Sequence, residues 1–242
     1  MTKSQTAPES VCASMPKLNP RLEKIFEIVP PCNFAADIGT DHAYIPVCLI
    51  LSGKAKAAVA ADIGKGPLAR AKETAQKYAV DDCISLRLGG GLSILCENEA
   101  EVLIIAGMGG LLISKILSED EKVAKSAQTL ILQPMTAAKE LREFLVENGY
   151  KIDCEFLARE GEKIYNIMKV SVGSSDSLSV YEKYIGKNLK SSPDFKDYFR
   201  QRTEKLSKSI TGLLKSKNKE NHEKAQKLIK IKEMIENESN GY

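Results

Sequence analysis

Apolar positions fall in two rhythms along this chain. Leu22, Ile25, Phe26 and Val29 share one helical face, with Asn19 placed to cap the helix, Pro20 at its first position and Pro30-Pro31 to stop it. Short apolar runs then alternate with amphipathic stretches. Residues 34–38, 57–62, 84–88, 102–106 and 129–133 read as strands. Each is followed by a helical segment: 43–51, 67–78, a turn or slightly more over 92–96, 111–117 and 137–148. Strands that are almost continuously apolar belong to a parallel sheet with helices on both faces. After Gly149 the rhythm changes to two strands, 150–158 and 163–172, joined only by Arg159-Glu-Gly-Glu162. So short a link forbids a parallel crossover and makes the pair an antiparallel hairpin.

Five parallel βα units closed by a hairpin is the arrangement of class I methyltransferases. The fold class expected is therefore α/β, a doubly wound sheet of that kind. A Ser/Gly linker over 172–179 leads to two further helices, with Phe199, Leu206 and Leu213 seven apart around Ile210, and Leu228, Ile231 and Ile235 after a break. They predict a short antiparallel coiled coil. The domains expected are a disordered leader (1–16), a methyltransferase-like α/β domain (17–174) and a C-terminal helical coiled-coil domain (175–242).

Charge adds a partner to this picture. From Leu178 onward there are 15 Lys and Arg against 9 Asp and Glu, while the rest of the chain carries 20 against 23. A mildly acidic body with a basic tail fits a polyanion, although a solvated helical surface gives the same count. The six cysteines form no Cys-x-x-Cys pair and there are only two histidines, so no zinc-site spacing exists and no metal is expected. Reduced thiols, no signal-peptide core and no apolar run long enough for a bilayer place the expectation in the cytoplasm, without a membrane partner.

The chemistry gathers at the predicted strand ends, where such sheets bind ligands. The first strand ends in Asp37-Ile-Gly-Thr-Asp41, a glycine-led turn expected to present backbone N–H groups and a helix N-terminus to a ligand. The second ends in Asp62, suited to a ribose diol. The third ends in Gly89-Gly-Gly-Leu92, the fourth in Ala106-Gly-Met-Gly-Gly110 and the fifth in Gln133-Pro134. No Gly-x-Gly-x-x-Gly run follows the first strand, and Asp41 would repel a pyrophosphate there. A cationic sulfonium tolerates that acid, which favours S-adenosylmethionine over NAD or ATP.

Asp37-Ile-Gly-Thr-Asp-His-Ala-Tyr-Ile-Pro46, Ala61-Asp-Ile63 with Lys65-Gly-Pro67, Ile105-Ala-Gly-Met-Gly-Gly110 and Leu130-Ile-Leu-Gln-Pro134 together resemble the bacterial tRNA (adenine(22)-N(1))-methyltransferases, the TrmK family. The resemblance runs from about Leu18 to Val172. It implies a cofactor set of Asp37 and Gly39 at the methionine end, Asp62 on the ribose, Ile63, Gly91 and Leu92 around the adenine, and Ala106 and Gly107 facing the sulfonium. It implies Asp41 as the catalytic carboxylate near the transferred methyl, and tRNA as the partner. His42, Tyr44, Gln133 and Pro134 are the expected substrate contacts. Two positions depart from the family pattern: Gly90 replaces an acid that would accept from the adenine amine, and Met135 replaces an Asn after Gln-Pro.

Direct transfer of methyl to N1 of adenine 22 is the activity this implies, by a monomer or weak homodimer. Asp41 has a plainer reading as a helix N-cap, Gln133 as a partner of loop backbone, and the C-terminal helices as a dimer contact. A class I methyltransferase of another RNA or a small molecule, and a non-catalytic RNA-binding protein with a degenerate pocket, remain as alternatives.

Overall fold

The computed structural model describes residues 15–240. Residues 1–14 of the expected leader lie outside the described residues. Pro16 belongs to the fold instead: it is buried, and its carbonyl accepts from the Cys48 thiol at 3.9 Å.

Seven strands form one sheet: β1 (Cys32–Ile38), β2 (Ala55–Asp62), β3 (Ile84–Leu88), β4 (Val102–Gly109), β5 (Thr129–Thr136), β6 (Tyr150–Glu160) and β7 (Lys163–Val172). Their order is β3-β2-β1-β4-β5-β7-β6. The first five run parallel, β7 pairs antiparallel with β5, and β6 with β7. Strand order reverses between β1 and β4, which opens a crevice above their carboxyl ends.

The helices are α1 (Pro20–Ile28), α2 (Tyr44–Leu51), α3 (Lys65–Lys77), α4 (Gly110–Glu119), α5 (Glu121–Ser126), α6 (Ala138–Glu147), α7 (Val180–Tyr184), α8 (Phe195–Leu214) and α9 (Lys219–Asn240). On one face of the sheet Ile113 and Leu117 of α4 and Leu141 and Leu145 of α6 pack on Leu103, Ile105, Leu130 and Leu132. On the other, Ile25, Val29, Ile45 and Leu49 cover Ala35, Ile104, Ile131 and Ile167. Full burial of each such side chain stabilises by about 1.5–3 kcal/mol.

α1 lies along the sheet and is fixed at both ends. Asn19 Oδ1 accepts from Leu22 N at 2.9 Å, and at the other end Lys54 Nζ donates to the carbonyls of Phe26, Glu27 and Val29. This sets Arg21, in the first turn, at the strand tips. The helical turn expected over residues 92–96 forms no helix. Arg87 reaches across it to Glu99 and to the Ile94 carbonyl, and Glu99 Oε2 takes the Cys96 N–H at 2.8 Å, bending the segment into consecutive turns.

A buried polar cluster fastens α7 and α8 to the sheet. Arg142 of α6 is fully buried; its Nη2 donates to Glu155 Oε2 at 2.7 Å, Asn166 Oδ1 at 3.0 Å and the Ile185 carbonyl at 3.2 Å, and its Nη1 to the Lys183 carbonyl at 3.0 Å. Glu155 Oε1 also accepts from Lys187 N at 2.8 Å, and the Tyr198 hydroxyl donates to the Ile185 carbonyl at 2.9 Å. Tyr181, Ile185, Tyr198 and Ile235 pack around Leu157 beside this cluster. A four-residue turn returns the chain from α8 to α9, so the two pair antiparallel.

Candidate active site

A cleft of about 390 Å³ opens above β1 and β4. It gathers seven of the expected site residues: Asp37, Gly39, Asp41, His42, Tyr44, Ala106 and Gly107. Asp62, Ile63 and Gly91 sit on the neighbouring tips, beyond the walls of this cleft.

Asp37 is the penultimate residue of β1 and is partly buried. Burial is the main reason its pKa is pushed up to about 6, with the Asp62 charge adding to it; a hydrogen bond from Thr40 and the nearby Arg21 guanidinium pull the other way. Gly39 follows with φ +80°, and a Cβ there would stand 2.1 Å from Met108 Cε. Only glycine satisfies both the left-handed backbone and that close approach.

The turn does not present its first amides to a ligand. The N–H groups of Gly39 and Thr40 both donate to the Ala61 carbonyl, at 2.8 and 2.9 Å, which ties the turn to β2. Nor does Asp41 cap α2. Ala43 is the cap residue, in left-handed backbone at φ 52°, and its N–H goes to Thr40 Oγ1 at 3.0 Å. That leaves the Asp41 carboxylate free to face outward, with its side chain 63% exposed. Arg70 of α3 engages Oδ1 through both Nε and Nη2, and His42 Nε2 lies 3.4 Å from Oδ2. The His42 ring stacks on Tyr44, with centroids 5.1 Å apart and planes within 7°.

On β2, Asp62 Oδ1 accepts from Gly64 N at 2.7 Å, and its second oxygen has no partner among the described residues. Ile63 beside it is 79% exposed, an apolar side chain held open at a strand tip. A carboxylate oxygen without a partner next to an uncovered apolar plate fits a ribose carrying a flat base, so these residues suit the adenosine of the expected cofactor. Gly90 packs against Ile63, where a Cβ would meet Cγ2 at 3.0 Å. Leu92 is fully buried in the core, so only its backbone borders this region.

Gln133 and Pro134 are both buried. Gln133 Oε1 accepts from Gly107 N at 3.1 Å and from Arg21 Nη1 at 2.9 Å, while Nε2 donates to the Pro134 carbonyl at 3.1 Å. The amide thus serves the loop backbone, and Arg21 lies beside it at the cleft wall. The Arg21 guanidinium lies 5.7 Å from the Tyr165 ring centre. The contacts of Arg21 with Gln133 and of Arg70 with Asp41 span 112 and 29 residues, and no local pattern in the sequence reveals them. Among the described residues no cluster of metal-ligating groups occurs and no helix is long and apolar enough to cross a membrane.

Residues 18–168 match a family model described as a methyltransferase domain. Over 161 residues the chain is 37% identical to the tRNA (adenine(22)-N(1))-methyltransferase of Bacillus subtilis (strain 168), a match spanning 66% of this chain and 68% of that protein. Its structure is similar to that of the B. subtilis m1A22 tRNA methyltransferase TrmK, with a TM-score of 0.79 and 31% identity over 91% of this chain and 97% of that one. It is also similar to M. capricolum TrmK in complex with S-adenosyl-homocysteine, with a TM-score of 0.78 and 26% identity over 90% and 98% of the two chains.

Proposed function

The chain belongs to the tRNA (adenine(22)-N(1))-methyltransferase family, and from that membership we propose that it methylates N1 of adenine 22 in tRNA with S-adenosylmethionine as methyl donor. The observation that carries the reading to these residues is the cleft above β1 and β4, where Asp37, Gly39, Asp41 and Gly107 converge. The cofactor supplies an electrophilic methyl group on a cationic sulfur.

The remaining work falls to the protein. Asp37 takes the ammonium of the methionine end, Gly39 leaves room for its backbone, and Ala106 and Gly107 face the reacting centre. Asp62 accepts from the ribose hydroxyls through its free oxygen, and Ile63 covers one face of the adenine, with Gly91 and the Leu92 backbone at its edge. The target base leaves its stack to reach the cleft, where the His42–Tyr44 stack offers it an aromatic platform. As N1 is alkylated the base becomes cationic and its amine more acidic. Asp41 accepts a hydrogen bond or proton from that amine through Oδ2, the oxygen Arg70 does not hold. Gln133 and Pro134 act behind the surface, shaping the tip that the base meets.

Residues 17–174 form the catalytic domain in this reading and 175–242 a basic helical domain that holds the tRNA backbone. A tRNA substrate puts the enzyme in the cytoplasm, as a monomer or weak homodimer. The test is methyl transfer from labelled cofactor to bulk bacterial tRNA, with the modified nucleoside identified by mass. Wild type should yield 1-methyladenosine, and Asp41→Ala should bind cofactor as wild type does while losing turnover by about two orders of magnitude. Cofactor binding without transfer to any tRNA by wild type would refute the substrate.

A further inference from the structure

Beyond the tip of β5 lie two more hollows. Tyr165, which Arg21 faces, lines a pocket of about 210 Å³ together with Met135, Asn166, Arg202 and Lys205. Arg202 and Lys205 also line a groove of about 350 Å³ that runs between α6 and α8 past Lys139 and Leu111. Ala138, Arg202 and Lys205 line both hollows, so pocket and groove adjoin, and the Arg21–Tyr165 contact brings the pocket beside the catalytic cleft.

The lining is one-sided in charge. Lys139, Arg202 and Lys205 are cationic, and Glu140 is the only acid along either hollow among the described residues. Lys139 is engaged by Glu143. Arg202 donates from Nε and Nη2 to one carbonyl, that of Tyr184, at 3.3 Å each, and its Nη1 has no partner among the described residues. Lys205 is exposed and forms no ion pair among the described residues.

Asn166 gives a second, independent sign. It is 5% exposed, and its Oδ1 is held by Arg142, a group that can only donate; the amide orientation is thereby fixed. Its Nδ2 is buried and has no hydrogen-bond partner among the described residues. A buried donor left unpaired costs about 1–3 kcal/mol, so a binding partner that accepts from it gains that much. At the rims, Met135 is 45% and Leu111 64% exposed, apolar and open. Free cations, one unmet donor and apolar ledges match the parts of a nucleotide: phosphate, an acceptor on sugar or base, and a flat base.

We propose that this pocket and groove carry the RNA strand flanking the target nucleotide, with its phosphates on Arg202 and Lys205 and an acceptor of the adjoining nucleotide on Asn166 Nδ2. The inference rests on the tRNA reading above and assigns the strand to the seam between sheet and arm. An outer face of the arm would have left that seam without a role.

The test compares full-length wild type with Arg202→Gln/Lys205→Gln, titrated with unmodified tRNA across about 50–200 mM salt, with cofactor affinity measured on each. Loss of two phosphate contacts should flatten the plot of log K against log salt by about 2 and raise the KM for tRNA about tenfold, with cofactor affinity unchanged. Arg202→Lys/Lys205→Arg retains both charges and should retain the wild-type slope. If the double variant misfolds, the exposed Lys205→Gln alone decides, with an expected change of about 1. An unchanged slope and KM overturn the groove while leaving the substrate intact. Failure of wild type to methylate tRNA refutes the substrate, and the slopes still judge the groove.

Discussion

Asp37 is a carboxylate that the fold holds against its own preference. With its pKa at about 6, chiefly through burial, it stands well above the ordinary aspartate value of about 3.9, a gap worth on the order of 3 kcal/mol. Below about pH 4 the group is protonated in both folded and unfolded chains and no penalty exists. From about pH 4 to 6 the unfolded chain gives up its proton first, so stability falls as pH rises; above about pH 6 the whole penalty is present. Asp37→Asn keeps the shape and an acceptor for Thr40 but removes the charge. It should therefore stabilise the ligand-free protein at about pH 7.5 by up to about 3 kcal/mol, and hardly at all near pH 4. For a chain of this size that is roughly 2–4 °C of melting temperature for each kcal/mol. Cofactor binding should move the other way. The ammonium partner is lost in the variant, and wild-type affinity should drop about tenfold between pH 7 and 5 as Asp37 protonates, while the variant stays flat. Urea melts over this pH range, with calorimetric titration of the cofactor, read both effects. A variant less stable than wild type at about pH 7.5 would refute the burial argument, and a pH-independent wild-type affinity would remove Asp37 as the ammonium partner.

Arg142→Met leaves the Glu155 charge buried without its partner and should lower unfolding stability by about 3–5 kcal/mol; Glu155→Leu added to it should restore much of that. Equal urea midpoints for Arg142→Met and wild type would show that the pair holds nothing. Gly39→Ala forces an alanine to φ +80° and a methyl onto Met108, so a loss of about 1–3 kcal/mol and weaker cofactor binding are expected. Met108→Ala beside it should relieve the collision but not the backbone strain, and full recovery would show that the turn can relax.

The βα alternation was legible because strands buried on both faces must be apolar throughout, and the hairpin because a short link allows only one topology. Short elements escaped. α5 and α7 have six and five residues, too few to show a period, although Ser179 and Glu182 form a capping box that was there to be read. The site was legible where its residues share one turn, as in residues 37–44. It was illegible where residues meet from afar: Arg70 on Asp41, Arg21 on Gln133, Arg142 on Asn166. Burial of Gln133 and Leu92 escaped because their motif positions name a strand end and leave side-chain direction open.

The Arg142 cluster draws on α6, β6, β7 and the main chain from Lys183 to Lys187. It makes the helical arm something other than an interchangeable accessory. A chain ended at residue 174 would keep Arg142 and Glu155 but lose two carbonyls and an amide that complete their shell. A grafted arm would have to offer those same three backbone groups at the same places. Arm and catalytic half are thus tied through one ion pair that the arm itself covers, and loss of the arm would open that pair to water.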